Sequence, residues 1–136
     1  DIGDISILQK LEELAPVVRA VAGNIDHGTV RRKCREVEIF EIEGVRVMLT
    51  HIGGYPGKYQ PGIKTMLRDN AIKLFVDGHS HILKVMFDRE LDTLHINPGA
   101  AGTQGWQQQR TLVKLTIDNG TMKDLEVIEL SKPSVK

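Results

Sequence analysis

Three short apolar runs in this chain each end abruptly in residues able to bind metals, and that pairing limits the fold more than any other feature of the sequence. Residues 17–22 lead into Gly23-Asn24, residues 45–49 into Thr50-His51, and Leu74-Phe75-Val76 into Asp77-Gly78-His79-Ser80-His81. Short apolar runs bounded by turn residues read as buried strands. Polar side chains gathered at strand ends make the site of an α/β fold. Each piece alone is ordinary, since a histidine after a strand is usually a hydrogen-bonded core or rim residue and Gly-Asn is a common turn. The order in which they recur is what carries weight. If residues 79–81 are extended, the two imidazoles project to one side about two strand rises of roughly 3.3 Å apart. That suits two neighbouring ions about 3.5–4 Å apart better than one.

The rest of the chain fits the same class. Asp4 or Ser6 caps a helix whose Ile7, Leu8, Leu11 and Leu14 form one stripe, and Pro16 ends it. From Glu36 the alternation of Val37 and Ile39, the Glu43-Gly44 turn, and Val45, Val47 and Leu49 predict a hairpin. Residues 53–62 are a Gly- and Pro-rich loop, residues 63–70 a helix, and residues 83–87 and 93–96 strands. A second hairpin, residues 111–117 and 125–130, turns at Asn119-Gly120. The expected architecture is α/β: two packed β-sheets with helices on their outer faces, in a single domain spanning residues 1–136.

At 136 residues and 15.2 kDa the chain suits one core. Eighteen basic residues balance eighteen acidic ones, so no global field holds a nucleic acid or an anionic membrane. Arg31-Arg32-Lys33 with Arg35 is the one basic cluster, read as a solvated loop face rather than a phosphate patch. Cys34 is the only cysteine, which excludes an internal disulfide and a thiolate metal cluster and points to a reducing, cytoplasmic setting. No apolar run approaches the roughly 18 residues of a membrane span.

Gly23-Asn24-Ile25-Asp26, His51, Gly78-His79-Ser80-His81 and Asn97-Pro98-Gly99-Ala100 together resemble the later motifs of the calcineurin-like metallophosphoesterases, in particular the small bacterial and archaeal phosphodiesterases and their relative, the scaffold subunit of the retromer coat. That family's series runs D-x-H, G-D, G-N-x-D/E, H and G-H-x-H, often followed by N-P-G-S. Two residues compete for the aspartate of G-D. Asp1 is preferred over Asp4, because Asp4 already stands where the helix cap belongs. The resemblance implies that Asp1 bridges two divalent ions, that His81 binds the first, and that Asn24, His51 and His79 complete the second. Manganese is the first expectation, with iron, zinc or nickel as alternatives. No D-x-H stands after a first strand, since Asp77-Gly78-His79 belongs to the later motif, so the first strand–helix–strand unit of the family is expected to be missing, leaving an open sheet edge for a further segment or a second copy to cover.

The implied activity is hydrolysis of a small phosphate ester by a two-metal-activated water, with Asn24, Asp26 and His51 in the catalytic set and Asn24 and His27 near the substrate. Asp26 is expected to orient a neighbouring ligand or arginine. Family members active on phosphoproteins carry G-N-H-D/E; Ile25 stands at that His position, which points to phosphodiesters or activated aryl phosphates, with His27 as a partial substitute. Ala100 replaces the serine of N-P-G-S, His95 matches no ligand position, and Trp106 is expected to pack locally, with covering the site or an oligomer contact as alternatives. The rival expectations are a non-catalytic scaffold on the same fold and a nuclease; sparse aromatics and balanced charge offer no track for a nucleic-acid strand.

Overall fold

The computed structural model describes residues 1–130; of the expected domain span, residues 131–136 lie outside the described residues. Its centre is a five-stranded sheet. β1 (Val37–Ile42) and β2 (Val45–Thr50) form the first hairpin, and β5 (Leu74–Val76), β6 (Leu83–Asp88) and β7 (Thr93–Pro98) complete the order β1-β2-β5-β7-β6. β2, β5 and β7 run parallel, with antiparallel β1 and β6 at the edges. Glu43 (φ 47°) and Gly44 (φ 80°) are both left-handed, the backbone of a type I′ turn, which matches the right-handed twist of the strands it joins.

The central strands are buried on both faces, as parallel strands require. Val47 and Leu74 face one core, where β8 (Arg110–Asp118) and β9 (Thr121–Leu130) pack as a second, two-stranded sheet through Val113, Leu115, Ile117 and Met122. Met48 and Phe75, fully buried, face the opposite core, where α3 (Ile63–Asp69) contributes Ile63 and Leu67. A third cluster joins Leu8 of α1 (Ile5–Leu14) to Ala22, Cys34 and Val30, the last on α2 (Gly28–Lys33). This is the expected α/β arrangement of two packed sheets with helices outside.

Parallel pairing is what assembles a site. Leu49 is in register with Val76, and Val76 with Ile96. The residues that follow them therefore leave the sheet along one edge, in step.

Four local expectations are corrected. Residues 17–22 form no ladder: the segment makes one isolated parallel bridge, Val21 to Arg35, and Val17 is 72% exposed. A strand exists only with a partner, and β1, the adjacent element, pairs with β2 alone. Within the loop of residues 53–62 a small hairpin forms, β3 (Gly54–Tyr55) with β4 (Lys58–Tyr59). The basic cluster begins on α2 rather than in a loop. Arg32, Lys33 and Arg35 are exposed as expected, while the half-buried Arg31 donates through its guanidinium to the carbonyls of Asp26 and Gly23 and to Glu36. On α1 only Leu8 of the apolar stripe is buried, while Ile7, Leu11 and Leu14 stay exposed among the described residues.

Candidate metal centre

His51 follows β2, and His79 follows β5. Between the two histidine segments the Gly78 amide donates to the His51 carbonyl at 2.9 Å. Asn24 stands in the turn after Gly23, closed by the Asp26 amide on the Gly23 carbonyl at 3.1 Å. These turns bring side chains from distant parts of the sequence to one point. His51 Nε2 lies 3.1 Å from Asp1 Oδ2 and 3.3 Å from His79 Nδ1, and His79 Nδ1 lies 3.1 Å from Asn24 Oδ1. Donor atoms of Asp1, His51 and His79 all fall within 4.8 Å of one another.

The residues fit a divalent cation. Ligand bonds of about 2.0–2.2 Å around one ion leave neighbouring donors roughly 3 Å apart, which is the spacing observed. The Asn24 carboxamide makes the same point. As placed, its oxygen faces only acceptors, whereas the reverse orientation would let its nitrogen donate to His51 Nε2 at 2.8 Å, to His79 Nδ1 at 3.1 Å and to both Asp1 oxygens at 3.1 Å. Four inward-facing lone-pair groups are poor company for each other and good company for a cation. Burial is the main cause that lowers the His51 pKa from 6.5 to about 4. Its ring therefore presents an unprotonated nitrogen at neutral pH, as a metal ligand must.

Asp26 builds this arrangement from behind. Its carboxylate is buried and accepts from the amides of Ile2 at 2.9 Å, Gly3 at 2.8 Å and Gly23 at 2.8 Å, tying residues 1–3 to the Asn24 turn. Burial alone would raise its pKa, but the three amide donors outweigh it and lower the value to about 2. Gly23 is required by contact: a Cβ there would meet the Asp1 backbone and carboxylate. Asp1 in turn accepts from the Ile25 amide at 2.9 Å. The sequence expectation placed Asp26 in the catalytic set; its enclosed oxygens face backbone, so it is a positioning residue. Asp4, the alternative aspartate, caps α1 by accepting from the Ser6 amide at 2.8 Å, away from the cluster.

His81 lies outside the group formed by Asp1, His51 and His79. The extended geometry expected for residues 79–81 is not adopted, because His79 (φ 69°) and His81 (φ 63°) are both left-handed. His81 Nδ1 instead meets Gln107 Oε1 at 2.7 Å. The Gln107 amide nitrogen donates to the carbonyls of Gly102 at 3.0 Å and Gln104 at 2.6 Å, so its oxygen is the atom presented to His81. An accepting oxygen fixes the proton on Nδ1 and leaves the Nε2 lone pair free. Nothing in the spacing of Gln107 marked it in advance. His27 is exposed and pairs through Nδ1 with the Ile25 carbonyl at 3.2 Å, also outside the cluster.

The Asn97-Pro98-Gly99 turn holds the histidine loop. Asn97 Nδ2 donates to the Gly78 carbonyl at 3.1 Å and to Ser80 Oγ at 3.0 Å, while its Oδ1 accepts from the Gly99 amide at 3.0 Å. Below it, His95 Nε2 meets Asp77 Oδ1 at 2.7 Å in a fully buried pair, a structural use of that histidine. Burial raises the Asp77 pKa. Trp106 is 72% exposed, so the expected local packing does not describe it.

Residues 1–120 match the family model of the calcineurin-like phosphoesterase superfamily domain. A protein of Methanothermobacter thermautotrophicus named as a probable metallophosphoesterase is 33% identical, over 98% of this chain and 74% of its own length. Among solved structures, that of a novel archaeal phosphodiesterase superposes with a TM-score of 0.72 at 20% identity, covering 96% of this chain and 79% of that one. Wild-type Vps29 of Entamoeba histolytica complexed with zinc does so with a TM-score of 0.66 at 19% identity, covering 91% and 75%. A family model matched over most of the chain, and a relative sharing a third of its residues, establish that this chain belongs to the calcineurin-like phosphoesterase superfamily.

Proposed function

We propose that this chain is a metal-dependent phosphoesterase that hydrolyses phosphodiesters or activated phosphate esters, with residues 1–136 as one catalytic domain. The observation that carries the proposal is the convergence of Asp1, Asn24, His51 and His79 with donor atoms about one ion apart. In this reading those four hold one divalent ion, and His81, with Asp1 shared between the sites, takes part in holding a second. Imidazole, carboxamide and carboxylate donors suit manganese first, and iron, zinc or nickel as alternatives. Bound ions of this kind lower the pKa of a water toward neutrality and polarise phosphoryl oxygens.

The chain's own residues supply position. Asp26 sets Asp1 against His51, Asn97 fixes the loop that carries His79, and Gln107 sets the tautomer of His81. Ile25, 58% exposed, occupies the position from which a histidine would protonate the leaving group. Without that donor, departure depends on the acidity of the alcohol, and a lost general acid costs about 10²–10⁴-fold. Diesters and aryl esters with good leaving groups are thus the substrates that fit. The test is turnover of bis(p-nitrophenyl) phosphate by the full-length protein with Mn²⁺. Saturable hydrolysis that ends on chelation is expected. A protein that binds Mn²⁺ here without turnover is instead a binding module on the same fold.

A further inference from the structure

A cavity of about 300 Å³ opens beside the histidine cluster, with His79 on its wall. That volume lies at the lower end for sites that enclose a small organic group. Ile52, Ile82 and Tyr55 give it apolar sides, and Lys58 and Lys84 stand on its lining. The lysines are the informative feature. Lys33, Lys64, Lys73 and Lys123 are each ion-paired with a carboxylate on the surface. Lys58 and Lys84, like Lys10 and Lys114, form no such surface ion pair, and what sets Lys84 apart is its place: its half-buried ammonium rests 3.5 Å from the centroid of the Tyr55 ring, on the cavity lining. Asp77, the carboxylate on the cavity lining, is buried and already engaged by His95 Nε2 at 2.7 Å. The Lys84 charge is felt by that carboxylate without an ion pair to it, and a partly desolvated cation resting on an aromatic face is a site for an anion.

We infer that this cavity receives the alcohol arm of the phosphoester, and that the arm it selects carries its own negative charge, as a carboxylate or a second phosphate. The inference rests on the phosphoesterase reading for the position of the reacting phosphate at the histidine cluster. It adds what lies on the other side of the ester oxygen. Tyr55 holds Lys84 in place from its ring face, and Lys84 meets the charged end of the arm. Lysine acts here as a point charge, indifferent to whether the anion is carboxylate or phosphate.

The experiment is calorimetric titration of the Mn²⁺-loaded protein with three non-hydrolysable analogues: phenylphosphonate, 4-phosphonobenzoate and benzene-1,4-diphosphonate. The second and third are expected to bind at least about tenfold more tightly than the first, the gain of one charge-assisted contact. Comparing them with each other separates carboxylate from phosphate as the preferred group. Raising the salt concentration should shrink the ratio, Lys84→Gln should bring it close to one, and Lys84→Arg should retain most of it. Equal affinities for all three in the wild type, or an undiminished ratio in Lys84→Gln, would overturn the inference. Should Lys84→Gln not fold, the wild-type ratio and its salt dependence still decide. Turnover of bis(p-nitrophenyl) phosphate is measured on the same sample. A preserved charge preference without turnover brings down the phosphoesterase reading and leaves the anion selectivity of the cavity standing.

Discussion

Replacing Asn97 with alanine should loosen fold and site together. Three hydrogen bonds end on this 4%-exposed side chain: to the Gly78 carbonyl, to Ser80 Oγ and from the Gly99 amide. A buried bond contributes about 1 kcal/mol net and an exposed one less. Ser80 is exposed, so its share is the small one. The loss is therefore about 2–3 kcal/mol. With an unfolding entropy of about 2.1 cal/mol/K per residue, that lowers Tm by roughly 10 °C for a chain of this size. The freed Gly78 to His81 segment then holds His79 less firmly, and Mn²⁺ affinity should fall about 10–100-fold. Asn97→Asp sharpens the test. It keeps an acceptor for the Gly99 amide but turns a second oxygen toward the Gly78 carbonyl, so at neutral pH it should do no better than alanine. Urea unfolding and Mn²⁺ titration measure both quantities. A change under about 0.5 kcal/mol, with unaltered metal affinity, would refute the role given to this side chain.

His79→Ala or Asn24→Ala should abolish Mn²⁺-dependent hydrolysis of bis(p-nitrophenyl) phosphate, because each opens the shell around one ion; unchanged turnover in both would exclude them as ligands. Gln107→Ala should release the tautomer of His81, and nitrogen NMR of the metal-free protein should show the Nδ1-protonated form giving way to a mixture, while the His51 and His79 signals hold their positions. Asp26 has a folded-state pKa of about 2 against 3.8 for the free group, a depressed value. Its contribution, about 2 kcal/mol, is present above pH 4 and lost as pH falls toward 2. Asp26→Asn should lie below the wild type at pH 7 and lose less on acidification, as read from unfolding curves at successive pH; parallel curves would contradict this.

The sequence was most informative where local chemistry and global packing agree. Glu43-Gly44 and Asn119-Gly120 fix their hairpins because left-handed turn residues leave few alternatives, and both pairs adopt positive φ. Leu74-Phe75-Val76 reads as a buried strand because both of its faces are apolar, and each faces a different core. The candidate site was legible through order along the chain, since residues placed after parallel strands must emerge on one edge. The failures have another cause. Residues 17–22 carry a strand composition, but whether they join a ladder depends on a neighbour that composition does not specify. Arg31 looks like any surface arginine until the carbonyls of Gly23 and Asp26 are placed around it. Gln107 meets His81 across a loop whose course no periodicity encodes, and the left-handed backbone at His79 and His81 overrode the extended geometry that spacing alone suggests.

The loop that anchors His81 also carries Trp106, the only tryptophan of the chain and the immediate neighbour of Gln107. Its indole is 72% exposed, while the next side chain is pinned to the Gly102 and Gln104 carbonyls and to the imidazole. The protein thus contains its own unlabelled optical probe on the loop that meets His81. Emission from a lone, water-exposed indole shifts when its loop tightens, and a paramagnetic ion nearby quenches it. Under the proposed two-ion reading, an ion held at His81 would register in a fluorimeter as a signal separate from catalysis, measurable on the unmodified chain.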